Sequence, residues 1–551
     1  MLKLATLIEN PGEPRLESQY QDPAVLQGLG YNATIIYGTT ALSGMESSQV
    51  IEDRELRRWT DQITDRLSGE ISRAADAGLG VYLFYDALVL PQVIVDRNAR
   101  NLACRRREDV LCPGSSEAWN LSVRGCEAML RRHPEASGIV LRVGDSDAPR
   151  LPHLMGNDIY MPHCPRCGDL GRAERMTEAV RRFYELVVER FGKRLIVRAW
   201  NLRPGGMHDQ PDLAARVAEA LPGSPKDDRL VLSFKFTETD FWRYQRWNPA
   251  SLRCGDRPII YELQCQREFE GKGGIPDWQA PLWRDGAPEV DQRESEKVCG
   301  LADAAKRVNL AGVWAWVRGG GWGGPFVRDE TWIDANVYAA PRLADDPGLD
   351  LRELARTWVV ERLHLEDEAA IEAVCDVLHA SPEIVRQAFY VEPFAMSKRD
   401  PWHPAADWLQ DDVLDVHAAW RIMQRLPEPG VERAVAEKRA AADEVTRLRI
   451  RLQRLVDDRG HHRLEPMVNS LLYAESLFEA LRDLLSGLAA YRQNRRSPSP
   501  SAAEHTRKKL FEAQSHWNHH TQRLASRPGT ASAFREQGFW EITEQIMTDL
   551  A

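Results

Sequence analysis

Carboxylate side chains follow several apolar segments of this sequence, in positions that suggest acid–base chemistry. Four of them lie just past the end of such a segment: Asp145, Asp147, Asp240 and Glu268. Carboxyl groups on opposite sides of a bond can divide its hydrolysis, because one protonates the leaving oxygen while the other activates water. We therefore expect a general acid and a general base among these four residues.

Basic side chains end three successive apolar segments, as Arg142, Arg198 and Lys235. An ion within an apolar segment is tolerated only when it is paired or faces a wet pocket, since desolvating it alone costs several kcal/mol. Together the three cations suit one anionic group such as a sugar carboxylate, which arginine binds through its two-pronged guanidinium group and lysine as a point charge. The alternative is that each acid is a structural partner of a neighbouring arginine.

Tryptophans accompany these charges and offer flat apolar faces to a sugar ring. The candidate substrate-binding residues near the segment ends are Trp200, Trp242, Trp314, Trp316 and Trp322, together with Arg318. The chain has 17 tryptophans, many of which must belong to the core. The aromatic residues therefore indicate a carbohydrate site only in combination with the charges.

Eight short apolar segments, separated by helical stretches, place these residues at strand ends. The segments are 2–8, 32–37, 80–86, 138–143, 194–200, 230–236, 258–265 and 311–317. Their continuous apolarity is typical of parallel strands buried on both faces, and eight such strands close a barrel. We predict an α/β fold, a (β/α)₈ barrel, whose active site lies at the carboxyl ends of the strands. An open doubly wound sheet is the alternative, but no glycine-rich phosphate fingerprint follows the first strand.

Helix-period segments replace the strand pattern after about residue 345. Among them are 350–364, 367–379, 383–392 and 431–457. We therefore predict a catalytic barrel over 1–345 and an all-α helical domain over 346–551. The segment 431–457 is long, charged and alanine-rich, as expected of a helix that packs in a bundle or at a dimer contact.

Composition limits the classes of partner. The formal net charge of −10 argues against nucleic acid, which binds basic surfaces. No apolar run approaches the roughly 18 residues of a membrane span, and the amino terminus leads directly into a strand pattern rather than a signal peptide. The nine cysteines are an odd number and lie mostly in apolar segments, which favours reduced thiols. We expect a cytoplasmic protein.

A Cys-x-x-Cys-Gly motif at Cys164 and Cys167 is half of a zinc-binding pattern. A closed structural zinc site needs four ligands. The residues that could complete it are His153, His163 and either Cys104 or Cys112. The alternatives are a structural zinc ion that holds a loop and a pair of reduced thiols without metal.

The strand-end motifs resemble those of the glycoside hydrolase family 67 α-glucuronidases. The similarity is remote, covers residues 1–365, and is best in KFTETDF after the sixth strand and ELQCQREFEG after the seventh. We expect no counterpart of the family's N-terminal domain, because the first predicted strand already begins at residue 2. The resemblance implies inverting hydrolysis that releases glucuronic or 4-O-methylglucuronic acid without a metal or organic cofactor, and a helical domain that forms homodimers.

Carried over by position, the resemblance assigns roles to individual residues. Asp240 and Glu268 match the carboxylates that activate water, while Arg198 and Lys235 match residues that contact the uronate. Arg142 stands where the family has lysine. The family's acid is a glutamate in a loop that here reads GDSDAPR, so that Asp145 or Asp147 would donate the proton.

The prediction is an exo-acting, inverting α-glucuronidase-like enzyme that removes an α-linked uronic acid from an oligosaccharide and needs no cofactor for catalysis. One alternative is a barrel glycosidase acting on a neutral or amino sugar. Another is a carbohydrate-binding protein without catalytic activity, and a third is a zinc-dependent enzyme acting at Cys164 and Cys167.

Overall fold

The computed structural model describes most of the chain. The described residues are 1–8, 17–45, 53–144, 146, 148, 151–157, 159–162, 164–287, 290, 298–319, 328–397, 402, 408–410, 413–525 and 535–551. Three of the predicted site residues, Asp145, Asp147 and Trp322, lie outside them.

Eight parallel strands form a closed barrel, as predicted. They are β1 (Leu2–Leu7), β2 (Ala33–Ile36), β3 (Gly80–Asp86), β4 (Gly138–Arg142), β5 (Arg194–Arg198), β6 (Leu230–Lys235), β7 (Pro258–Gln264) and β8 (Asn309–Arg318). Each strand pairs with its neighbours in sequence, and β8 pairs with β1 to close the barrel. The (β/α)₈ prediction is confirmed: the first seven predicted apolar segments each contain one of these strands, and β8 extends beyond the predicted 311–317 at both ends.

The strand register brings the charged ends to the same level of the barrel. Asp86 aligns with Arg142, which in turn aligns with Arg198. Lys235 aligns with Glu262. Every residue of β6 and β7 is buried, because side chains fill the inside of the barrel and helices cover the outside. These charges therefore lie between a packed core and the carboxyl end of the barrel.

Helices of the barrel domain alternate with the strands. They are α1 (Pro23–Gly28), α2 (Arg54–Asp76), α3 (Gln92–Arg97), α4 (Ala99–Leu102), α5 (Ser116–Arg132), α6 (Pro165–Gly168), α7 (Arg172–Tyr184), α8 (Pro211–Ala220), α9 (Ala280–Asp285), α10 (Gly300–Ala304) and α11 (Thr331–Asp345). The helix α7 buries one apolar face and continues as a π-helical turn over Glu185–Arg190.

The rest of the chain is mainly helical, as predicted. Its helices are α12 (Leu351–Leu363), α13 (Glu368–Phe389), α14 (Glu392–Ala395), α15 (Val416–Arg425), α16 (Glu428–Arg459), α17 (Glu465–Arg496), α18 (Pro500–Ala525) and α19 (Phe539–Asp549). Pro382 lies inside α13, where the sequence predicts two separate helices. The segments Leu409–Gln410, Val413–Asp415 and Arg535–Gln537 form a small sheet that the helical periodicity did not indicate. No described helix is both long and apolar enough to cross a membrane.

The long helix α16 packs in a bundle through a buried face of small and aliphatic residues that includes Ala434, Ala441, Leu448 and Leu452. It packs against α17, and α17 packs against α18.

The last residue of α11 coincides with the predicted domain limit at 345, and the division into two domains stays a prediction.

A buried ion cluster joins the barrel to the helical domain. Glu270, in the loop after β7, accepts hydrogen bonds from Arg243 Nε at 2.8 Å and from Arg267 Nε at 2.8 Å. The hydroxyl of Tyr390, just past α13, donates to the same carboxylate at 2.6 Å. Burial alone would raise the pKa of Glu270, but the two guanidinium groups outweigh that effect and hold its pKa well below the ordinary value.

Replacing Glu270 with glutamine should destabilise the protein by about 1–3 kcal/mol, because two buried guanidinium groups lose one of their two carboxylate partners and keep only Asp277, which lies 3.1 Å from Arg243 and 3.8 Å from Arg267. The free energy of unfolding in urea measures this loss. The matched control is Glu444→Gln, which breaks the exposed pair with Arg447 and should cost under about 1 kcal/mol. Equal losses in the two variants would contradict a structural role for the cluster.

Acid should destabilise the helical domain through His520, which is buried beside Trp517. The Nδ1 atom of His520 lies within hydrogen-bond distance of the Ser476 hydroxyl, at 2.9 Å. Burial, helped by His519 and Arg523, lowers the pKa of His520 to about 3. The unfolded chain therefore binds this proton first, at a pKa of about 6.5, so stability is lost as the pH falls from there towards 3.

The variant His520→Gln should reduce the loss of urea-unfolding free energy between neutral and moderately acid pH, because the glutamine does not titrate there. The exposed His505→Gln is the matched control and should leave that loss as in the parent chain. An unchanged slope in His520→Gln would show that other groups carry the acid sensitivity.

Candidate active site at the carboxyl end of the barrel

Arg142 at the end of β4 forms a buried two-pronged ion pair with Asp86 at the end of β3. Its Nη2 atom donates to Asp86 Oδ2 at 2.7 Å, and its Nε atom donates to Oδ1. Tyr37 accepts a further hydrogen bond from Arg142 Nη1 at 3.2 Å, and the hydroxyl of Ser146 donates to Asp86. Only 1% of the Asp86 side chain is exposed, so this carboxylate serves as the countercharge of Arg142.

Arg198 at the end of β5 pairs with Glu262 of β7 across the inside of the barrel. Its Nε atom lies 3.1 and 3.2 Å from the two oxygens of Glu262. Ser233 on the intervening strand and the indole of Trp316 also donate to this carboxylate, at 3.0 and 3.1 Å. The side chain of Glu262 is fully buried, and its carboxylate oxygens are thus occupied by protein donors.

Lys235 at the end of β6 pairs with Asp240, five residues further along the chain. The ammonium group donates directly to Asp240 Oδ1, which also accepts the backbone amide of Phe241 at 2.7 Å. In contrast to Asp86 and Glu262, Asp240 keeps 17% of its side chain exposed. It is the carboxylate of these three pairs that a ligand can approach.

Aromatic rings lie beneath these cations in what we call the cation–aromatic layer. Its rings are Tyr37, Phe84, Trp314, Trp316, Phe241 and Trp200. The guanidinium of Arg142 lies 5.1 Å from the Phe84 ring, and that of Arg198 lies 4.7 Å from Trp316. The ammonium of Lys235 is 3.7 Å from Trp200. Cation–π attraction therefore adds to the ion pairs in fixing the three cations.

Glu268 lies in the loop after β7 and is half-buried. The preceding Arg267 has a φ of 57°, a left-handed conformation that costs a residue with a side chain about 1–2 kcal/mol. Its ion pair with Glu270 stabilises this conformation, so the buried cluster also determines where Glu268 lies. The ring of Phe269 is 5.9 Å from Trp242, which brings the loop of Glu268 beside the loop of Asp240.

Two further predicted substrate-binding residues also have close protein contacts. Arg318 at the end of β8 donates to Glu330, whose second carboxylate oxygen accepts the backbone amide of Gln19 at 3.2 Å. Trp200 stacks on Trp402, with ring centroids 5.6 Å apart, and meets the edge of His208. Contacts with residues of other loops thus fix the positions of the Arg318 guanidinium and the Trp200 indole.

His208 lies beneath Trp200 as a buried, uncharged ring. Its Nε2 atom lies 3.1 Å from the carbonyl oxygens of both Thr237 and Thr239, in the loop after β6. Burial, with Lys235 nearby, lowers the pKa of His208 to about 3. Near neutral pH the ring is therefore neutral, which avoids a further cation beside Lys235.

The structure brings Arg142, Arg198 and Lys235 together on the cation–aromatic layer. It also places Asp240 beside the loop of Glu268.

Sequence reasoning missed Asp86 and Glu330 as partners of the arginines. Asp86 carried a usable signal, since it is a charge at the last position of an apolar segment. Glu330 had no such signal because it lies just before α11, away from any strand end.

The predicted metal ligands Cys164 and Cys167 lie in a separate cluster with Cys104 and Cys112, all four buried. His153, which was considered as a further ligand, instead faces the ring of Trp59 at 5.7 Å, and His163 lies outside the described residues. The four cysteines thus form a cluster of their own among the described residues.

A scan of protein-family models gives no match, and no curated protein is significantly similar to the sequence. Solved structures do match. A family 138 glycoside hydrolase targeting pectin rhamnogalacturonan II has a TM-score of 0.59 at 11% identity, over 100% of this chain and 82% of the other.

A second match is the CpGH89 enzyme of Clostridium perfringens, in complex with its substrate GlcNAc-α-1,4-galactose. Its TM-score is 0.52 at 10% identity, over 100% of this chain and 63% of that enzyme. The resemblance to family 67 stays a prediction. In fold, over the whole of its length, the chain is similar to these barrel-containing glycoside hydrolases.

Proposed function

We propose that the chain is a glycoside hydrolase whose active site lies at the carboxyl end of the barrel. The observation that carries this proposal is the difference between the carboxylates there. Asp86 and Glu262 are buried countercharges, whereas Asp240 and Glu268 are partly exposed on neighbouring loops. A pair of accessible carboxyl groups held in position is what hydrolysis of a sugar acetal requires.

The proposed reaction is a single displacement with inversion. Asp240 and Glu268 orient a water molecule, and one of the two accepts its proton while the water oxygen bonds to the anomeric carbon. The bond from that carbon to the leaving oxygen breaks, and Asp145 or Asp147 protonates this oxygen. Lys235 and the amide of Phe241 hold the Asp240 carboxylate in one orientation.

An α-linked uronic acid is the proposed substrate group. Three cations on successive strands support it, because a sugar carboxylate is attracted to a site where Arg142, Arg198 and Lys235 lie close to one another. The motif resemblance to α-glucuronidases agrees with it by analogy, whereas the fold shared with two glycoside hydrolases supports glycoside hydrolysis in general. A neutral or amino sugar is the second candidate, since each of these cations already has a protein carboxylate as partner.

The variants Asp240→Asn and Glu268→Gln should each lower kcat on an α-uronide by about 10²–10⁴-fold, because water loses a base or its orientation. Initial rates on aryl α-glucuronides and uronic-acid-bearing oligosaccharides measure the change. Asp212→Asn, on the exposed face of α8, is the matched control and should retain the parent rate.

Circular dichroism should show the parent fold in all three variants, so that lost activity is not lost folding. NMR of the first-formed sugar should show the anomer opposite to that of the substrate. Full activity in either site variant removes that residue from the mechanism. Binding without turnover across the whole panel would favour a carbohydrate-binding protein instead.

Lys235→Gln tests the uronic acid. We expect its kcat/KM on an α-uronide to fall at least about tenfold more than on the corresponding neutral glycoside, a difference of about 1.4 kcal/mol. The ratio of the two kcat/KM values isolates charge recognition from any effect on Asp240, which both substrates share. Arg246→Gln, a cation paired with Glu238 after the same strand, is the control and should leave the ratio unchanged.

A ratio unchanged by Lys235→Gln would contradict uronate recognition and favour the neutral or amino sugar. The cytoplasmic location, the homodimer through the helical domain and catalysis without a cofactor stay predictions.

A further inference from the structure

Four cysteines from two separate loops meet in one buried cluster. Cys104 and Cys112 belong to the loop after β3, where Ala103–Cys104 pairs with Arg107–Leu111 as an antiparallel hairpin. Cys164 and Cys167 lie at the start and near the end of α6, after β4. The sulfur atoms of all four lie within 4.8 Å of one another.

The distances between the sulfur atoms fit a tetrahedron around one metal ion. Cys112 Sγ lies 3.6 Å from Cys164 Sγ, and Cys164 Sγ lies 3.6 Å from Cys167 Sγ. Cys104 Sγ lies 4.0 Å from Cys167 Sγ. Tetrahedral zinc with Zn–S bonds of about 2.3 Å places its sulfur ligands about 3.8 Å apart. Directly bonded sulfurs would instead lie about 2.05 Å apart.

Hydrogen-bond donors point at three of these sulfur atoms, which suits thiolate ligands. The amide of Cys164 donates to Cys167 Sγ at 3.3 Å, and Arg166 Nε donates to Cys112 Sγ at 3.2 Å. Backbone amides of Gly114 and Arg105 also reach Cys112 and Cys164, respectively. Such donors disperse the negative charge that four thiolates bring to a divalent cation.

Apolar packing alone gives the cluster little stabilisation. The four cysteines lie apart from the main core, with Val110 as the partly buried apolar neighbour that packs against them. The two loops nevertheless approach closely. A Cβ atom added to Gly114 would lie only 2.5 Å from the carbonyl oxygen of Arg166, so glycine is needed there. Such a small apolar contact leaves most of the attraction between the two loops to polar groups or to a bound ion.

We propose that Cys104, Cys112, Cys164 and Cys167 bind one structural Zn²⁺ ion. Four thiolates leave no open position for water or substrate, so the ion holds structure and does not take part in catalysis. It joins the loop after β3 to the loop after β4. The same loops also pair through Leu90–Pro91 and Leu154–Met155, and through the amide of Leu111 and the carbonyl of Gly156.

The position of the zinc ion relates it to the proposed active site. The loop after β4 carries Asp145 and Asp147, the two candidate acids, between the end of β4 and α6. An ion held by Cys164 and Cys167 ties this loop to the loop after β3 at a point in the sequence beyond the two candidate acids. The zinc proposal itself does not depend on the hydrolase activity.

Elemental analysis of the full-length protein, expressed in zinc-supplemented medium, should find about one zinc ion per chain. X-ray absorption at the zinc edge should show four sulfur neighbours at about 2.3 Å. Cys104→Ser and Cys164→Ser should each lose most of the bound zinc. Cys126→Ser and Cys254→Ser, which change buried cysteines outside the cluster, are the matched controls and should retain it.

A second measurement on the unaltered chain covers the case in which the serine variants fail to fold. Cobalt exchanged into the protein should give the intense visible absorption of a tetrahedral thiolate site. Chelation should lower Tm and increase protease cleavage within 88–114 or 143–170, and added zinc should reverse both. Three results would overturn the proposal. They are a zinc-free protein with the same Tm as the zinc-supplemented protein, a protein that binds iron in place of zinc, and a protein in which the four cysteines are oxidised.

Discussion

The cost of burying charge at the carboxyl end of the barrel is the constraint on which the rest of this structure depends. Arg142, Arg198 and Lys235 end strands that are buried on both faces, where an unpaired ion costs several kcal/mol. Each cation therefore contacts a carboxylate and an aromatic ring. These pairs join β3 to β4, β5 to β7, and β6 to its own loop, so charge pairing also fixes the geometry of the barrel end.

Pairing divides the carboxylates into two kinds, and this division guides the functional interpretation. Glu262 accepts from an arginine, a serine and a tryptophan, which leaves it fully buried as a countercharge. Asp240 has a cationic partner but remains partly exposed, and Glu268 lies on the neighbouring loop. A fixed but accessible carboxylate can act on a ligand, whereas a fully enclosed one cannot.

Contacts far from the barrel strands determine the positions of the loops that carry these acids. The cluster around Glu270 includes Tyr390 of the helical domain, and it holds Arg267 in the left-handed conformation that precedes Glu268. The four proposed zinc ligands join the loops after β3 and β4 in a comparable way. The helical domain and the cysteine cluster thus both support loops at the carboxyl end of the barrel, by ion pairing in one case and by proposed metal coordination in the other.

The sequence by itself determined the eight strands and the helical domain, because continuous apolar segments and helical periodicity are local properties of the chain. It also identified Arg142, Arg198, Lys235 and Asp240 as strand-end charges. Which acid pairs with which cation was decided only by the tertiary structure, since Asp86 and Glu262 meet their arginines through barrel register across 56 and 64 residues. The same holds for Cys104 and Cys112: the motif at Cys164 and Cys167 is local, but its remaining partners depend on how two distant loops fold together.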